Sequence, residues 1–198
     1  MDNLTVSEAL LIFYSKYNLD PTGGVDEDFV TIVLFKGVTL YIPNFEARKK
    51  IIVKHDIHHL VTGYSALMKG EMETSAWELS TGCMNNWVAF SINTYSMMLG
   101  VLLNLQGIWK AWVVGKRTAN LYYQKYQVGE LLSRKVVDLK MELGFLNDRT
   151  NKNELYNFLT FVWILIMGIV FSVMSFVLIP FVLVYSIIIA IKIRRTKS

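Results

Sequence analysis

From Leu155 to Ile191 the chain carries no charged side chain, a run of 37 residues. As one straight helix it would reach about 55 Å, well beyond the ~30 Å hydrocarbon core of a bilayer. It must therefore tilt strongly and emerge from the membrane, or turn back on itself between Ser172 and Pro180. Arg149 and Lys152 precede the run, and Lys192, Arg194, Arg195 and Lys197 follow it. Basic flanks prefer the cytoplasm, and only a hairpin puts both there. Residues 151–198 are therefore expected to form a membrane anchor, a helical hairpin in preference to a long tilted helix. Residues 1–150 would then form a helical domain on the cytoplasmic side of the membrane.

A second uncharged run, Leu79 to Trp109, covers 31 positions. It contains Asn85, Asn86, Asn93, Asn104 and Gln106, and five amides are costly in hydrocarbon. A buried or lipid-lining helix of the domain is the expectation there. Composition agrees with membrane work: 53% of residues are hydrophobic and the mean hydropathy is +0.36. The formal net charge is +4, with basic residues scattered beside apolar runs. That pattern suits anionic lipid and lacks the basic stripe of a nucleic-acid binder. The single cysteine, Cys83, excludes an intramolecular disulfide. It reads as a small buried hydrophobe in a reducing compartment.

The N-terminal stretch is too interrupted by Ser7 and Glu8 for a signal peptide. It reads as a short amphipathic helix capped by Thr5 or Ser7, ending in the Asp20-Pro21-Thr22-Gly23-Gly24 loop. Phe29 to Ile42, rich in Val, Ile, Thr, Phe and Tyr with Lys36-Gly37 at its middle, predicts a short β-hairpin. A helix should begin near Asn44 or Phe45, run through His59 and stop at Gly63. Lys69-Gly70 predicts a further break, with the next helix starting at Glu71. Residues 110–145 alternate apolar and charged positions as an amphipathic helical region that ends at Gly144.

All three histidines lie within five residues, His55-Asp56-Ile57-His58-His59. At i and i+4 on a helix, His55 and His59 point the same way, and Asp56 lies about 100° around. Imidazole nitrogen with carboxylate oxygen suits Zn²⁺, with Fe²⁺ or Mn²⁺ also compatible. Glu71 follows His55 by sixteen residues, which an unbroken helix would place about 160° away. The glycine breaks let the chain turn and return Glu71 to the histidines. Two rival motifs fail. The HxxHH box of membrane desaturases needs further histidine boxes, and the His-Asp pair of phosphohydrolases needs an upstream histidine; the chain has neither.

His55-Asp56-x-x-His59, eleven residues, then Glu71 resembles the HDxxH-x11-E signature of the coenzyme Q biosynthesis protein 4 family. Leu60-Val61-Thr62-Gly63-Tyr64 and Gly70 are similar in context. So are Gly115-Lys116-Arg117-Thr118-Ala119 and the stretch from Val137 to Leu143-Gly144-Phe145. The resemblance covers roughly residues 25–146. It implies a mainly α-helical fold, a zinc-type site at His55, Asp56, His59 and Glu71, and a channel for a polyprenyl lipid. It also implies a role in ubiquinone assembly at a membrane, by removing the C1 carboxylate of the quinone-head precursor or by organising the biosynthetic enzymes. A homodimer is compatible with it. Lys140 stands where the family pattern has arginine, the N-terminal part is short, and the tail after 154 lies outside the usual domain.

Two functions follow. In an enzyme, a metal-dependent lyase, the ion would polarise the phenol or carboxylate of a prenylated ring. Asp56 or Glu71 would ligate it or move protons, and the lipid would lie along Trp87, Phe90, Met97 and Met98. These four would otherwise be ordinary core. In a scaffold, the ion would be structural and the tail would recruit partner enzymes. His58 is expected to be solvated or to support a ligand.

Overall fold

Thr5 opens the fold as the N-cap of α1 (Val6–Tyr17). Its side chain accepts from the Glu8 N–H, and the Glu8 carboxylate accepts from the Thr5 N–H. The computed structural model describes residues 1–35, 38–147, 153–175, 177 and 179–196. Among these the chain is mainly helical, with one two-stranded antiparallel sheet. Strands β1 (Phe29–Phe35) and β2 (Val38–Pro43) pair with Phe29 opposite Pro43 and Thr31 opposite Tyr41. The predicted Lys36-Gly37 turn lies outside the described residues.

Helix α2 (Glu46–Thr62) carries the histidines and stops at Gly63, whose φ of 78° is the left-handed cap that glycine adopts without strain. The link to α3 (Met68–Thr81) differs from expectation. The helix starts at Met68, so Gly70 lies inside its first turn and is no break. Residues 63–67 alone turn the chain. Gly70 serves a different need: a Cβ there would stand 2.0 Å from the Ser65 carbonyl oxygen. A Gly70→Ala change must push the link off the helix. We expect a loss of about 1–3 kcal/mol in denaturant titrations, with weaker metal uptake because Glu71 is the next residue.

The run from 79 to 109 is not one helix. α3 ends at Thr81, and α4 (Trp87–Gly115) begins under the Asn86 side chain, which accepts from the Ala89 N–H. α4 breaks again at Asn104 (φ −153°, ψ 52°). A Cβ on Gly100 would meet Ile108 Cδ1 at 2.5 Å, although a straight helix would separate these residues by about 12 Å. Both halves therefore return to α3. Asn93 reaches Glu78 and Gly100 lies beside Met72, while Ser80 donates to the Trp112 carbonyl and Gly115 abuts Trp77. By length and composition α4 and α7 (Glu154–Ser175) are each apolar enough to cross a bilayer. The Asn104 break changes this for α4: its halves, about 26 and 17 Å long, each fall short of a ~30 Å core.

α7 lies across α4. Phe161 meets Trp109 and Trp112 edge-on, Trp112 Nε1 donates to the Asn157 carbonyl, and Phe171 meets Phe90. Its other face leaves Phe158, Trp163, Ile166 and Val173 exposed. α8 (Ile179–Thr196) lies on β2, where Ser186 Oγ donates to the Tyr41 carbonyl and accepts from its N–H. The long uncharged run is thus two helices, with the break inside the predicted 172–180 window. Each packs one face on the domain, α7 on α4 and α8 on β2.

Residues 110–145 also divide. After Gly115 the backbone is irregular, followed by two short helices, α5 (Val128–Ser133) and α6 (Val136–Glu142). Side chains hold the irregular part: Lys54 Nζ donates to the Leu121 and Gln124 carbonyls, and the Leu121 N–H donates to His58. The apolar positions still point inward, and Gly144 ends the region at φ 89°. Leu121, Leu131, Leu139 and Leu143 join Val6, Phe13 and Ile57 in one core, while Trp77, Met97, Ile108 and Trp112 form another with α7. α2 contributes Ile51 to the second and Ile57 to the first, which puts its histidines at the seam.

Candidate metal centre

His55 and His59 lie one turn apart on α2 and face the first turn of α3, which carries Glu71. The two Nε2 atoms are 3.2 Å apart. His55 Nε2 is 3.2 Å from Glu71 Oε2, and His59 Nε2 is 3.4 Å from Glu71 Oε1. Two ligand atoms on one tetrahedral zinc, each about 2.05 Å from it, stand about 3.3 Å apart. All donor atoms of this trio lie within 4.8 Å of one another.

The far side of each ring fixes what faces inward. His59 Nδ1 lies 3.2 Å from the Tyr64 carbonyl, which can only accept, and 3.2 Å from the Thr74 hydroxyl, which can accept or donate; a proton on Nδ1 satisfies both contacts. Its Nε2 then presents a lone pair towards the Glu71 carboxylate. Two acceptors facing each other need a proton or a cation between them. His55 Nδ1 lies 2.9 Å from Glu78 Oε1, an arrangement that leaves Nε2 free to take an ion and would raise its basicity.

Glu78 was not found from the sequence. It is fully buried on α3, seven residues after Glu71 and so on the same face. Its Oε1 also receives His58 Nδ1 at 2.5 Å; its Oε2 receives Tyr122 Oη at 3.0 Å and the Asn93 amide. Four donors surround one carboxylate. His58, fully buried, accepts the Leu121 N–H at Nε2, so its one proton is on Nδ1 and points at Glu78. Its role is to hold Glu78, and the solvated alternative is excluded. No buried polar side-chain atom among the described residues lacks a partner. The available signal was that Glu78 is the last charge before the uncharged run.

Asp56 is not among the converging donors. Turned off the histidine face, its Oδ2 accepts from Tyr14 Oη at 2.7 Å. It lines the same cavity, about 360 Å³, as His55, Glu71, Arg48, Gly23 and Tyr122. Of the four proposed lipid-wall residues none lines it. Phe90 and Met97 are core, Met98 abuts Gly168 of α7, and Trp87 is 69% exposed. α4 contributes Ala89, Ile92 and Asn93 instead. Cys83 is buried, and burial with the nearby Glu78 pushes its thiol up to about 12, which suits an inert core position.

Electrostatics follow the geometry. Burial alone would lower His55, but Glu78 and Glu71 outweigh it and raise it well above the ordinary histidine value. Burial would raise Glu71 and Glu78, yet the histidines hold both well below the usual carboxylate range. Burial pushes Asp56 up, and neighbouring histidines and Tyr14 offset part of that. Without an ion, His55 thus retains a proton that metal must displace. Calorimetric titration with Zn²⁺ in buffers of different ionisation enthalpy should read net proton release, about one per ion. Affinity should fall as pH drops through the His55 value. An uptake independent of buffer and pH would contradict this proton inventory.

No family model, no curated protein and no solved structure matches the chain.

Proposed function

We propose that this chain is a membrane-associated divalent-metal protein of prenylquinone biosynthesis. His55, His59 and Glu71 would hold the ion, zinc by donor type, and the cavity beside them would take the ring of a prenylated aromatic acid. The observation that carries this is the convergence of two imidazole Nε2 atoms on a carboxylate, with each Nδ1 tied from behind. The HDxxH-x11-E spacing supports the quinone-precursor class.

His55, His59 and Glu71 would hold the ion, and a bound ion would supply Lewis-acid polarisation of a phenol or carboxylate oxygen. Glu78 and the Tyr64 carbonyl orient the imidazoles. Asp56, its carboxyl raised by burial, stands on the cavity wall. In a C1 decarboxylation carbon dioxide leaves and a proton takes its place on the ring, and Asp56 is the group suited to deliver it. The exposed faces of α7 and α8 would keep the cavity near the lipid that holds the polyprenyl tail.

The test is the quinone profile, by mass spectrometry, of the host lacking this gene and complemented with wild-type or Asp56→Asn protein. Loss of mature quinone with a carboxylated precursor accumulating, restored only by wild type, is the expected result. Full rescue by Asp56→Asn would favour the scaffold with a structural ion. An unchanged profile in the deletion would end the quinone assignment.

A further inference from the structure

We propose that Arg48 is the anchor for an anionic, oxygen-rich group, a carboxylate or a phosphate, on the ligand that enters the metal cavity. This builds on the reading of the cavity as a ligand site and adds the charge that ligand must carry.

Arg48 is seven residues before His55, two turns back on the same face of α2, and both line the 360 Å³ cavity. Ile51 and Ile52 lie between them on the wall. A ligand with an apolar body and a charged end fits that sequence of surfaces. The guanidinium is held in place rather than neutralised. Its Nη1 donates to Asn44 Oδ1 at 3.0 Å, and Asn44 is itself buried and fixed by bonds to the Gly24 and Glu27 carbonyls at 2.8 and 2.7 Å. Arg48 has five N–H donors, of which Asn44 takes one. Among the described residues no carboxylate lies within 4.0 Å of it, whereas Lys49 beside it pairs with Glu46. Asp56, the acid that acts on it through space, is already engaged by Tyr14. A planar fork with free donors in a cavity lined mainly by apolar surface matches the two oxygens of a carboxylate or phosphate. Only one side chain of the Arg48-Lys49-Lys50 triplet lines the cavity, and it is the fork-shaped one.

The test uses the full chain in detergent micelles, zinc-loaded and metal-free, as wild type, Arg48→Gln and Arg48→Lys. Each is titrated calorimetrically with 4-hydroxybenzoate, its methyl ester and inorganic diphosphate, and metal content is measured on every sample. We expect the benzoate to bind wild type, the ester to bind at least about tenfold more weakly, and Arg48→Gln to lose at least about tenfold for the benzoate. Arg48→Lys should fall between, and all three should carry the same metal. Preference for diphosphate, again lost in Arg48→Gln, would uphold the anchor, assign a phosphate, and count against the aromatic-acid head. Arg48-dependent anion binding by protein that takes up no metal would uphold the anchor and sink the metal site. Equal binding by wild type and Arg48→Gln, or no anion bound by wild type, would overturn the anchor.

Discussion

His55→Ala and Glu71→Gln should each weaken metal binding by more than about a hundredfold, the upper end of what outer partners of a ligand cost. Each removes one of three converging donors. Glu71→Gln keeps the shape but loses the charge that offsets the ion, and its amide nitrogen would face the Nε2 lone pairs. Metal analysis of purified protein reads this directly. Melting temperature reads it again, because an ion held a thousandfold above its Kd contributes about 4 kcal/mol that the variants forfeit. Asp56→Asn is the contrast. Tyr14 holds Asp56 away from the trio, so this variant should keep its metal within about tenfold of wild type. The HDxxH resemblance makes Asp56 a ligand, so Asp56→Asn decides between a three-donor and a four-donor shell. Unchanged metal content in both His55→Ala and Glu71→Gln would remove the site altogether.

Much of this centre was legible from spacing. His55 and His59 share a face because four residues make one turn, and Gly63 ends the helix where glycine is expected. Glu71 returns to them because the chain turns, although residues 63–67 do the turning and Gly70 only permits the close approach. What stayed hidden was tertiary. Nothing local marks Asn104 as a sharp reversal, since its neighbours are good helix formers and the break is sustained by packing of both halves on α3. The uncharged run therefore read as one long element. Glu78 was hidden for a related reason. A glutamate at the edge of an apolar run ordinarily faces water, and only the fold brings His55, His58, Asn93 and Tyr122 around it. The same blindness left Phe90 and Met97 open between a lipid wall and ordinary core. Apolar periodicity gives a buried face without saying whether protein or ligand covers it, and here α3 and α7 do.

Glu78→Ala should be the most damaging single change outside the metal ligands, for a different reason. The carboxylate is 0% exposed and accepts from four side chains. Removing it takes from those donors the acceptor they share, a loss of about 3–5 kcal/mol by the measure of broken buried pairs. That is a large share of the stability of a domain this size. Glu78→Gln separates structure from tuning. It fills the same volume, but its one carbonyl oxygen cannot take His55, His58 and Tyr122 together, and its amide nitrogen meets donors. His55 then loses the partner that keeps Nδ1 protonated and Nε2 free. We expect Glu78→Gln to fold, to melt lower, and to bind Zn²⁺ about 10–100-fold more weakly. His58→Gln should lower the melting temperature with a smaller effect on metal, because His58 reaches the ion only through Glu78. If Glu78→Gln bound metal as wild type does while melting lower, Glu78 would be a buried structural acid, and the orientation of His55 would have to come from Glu71 and the ion alone.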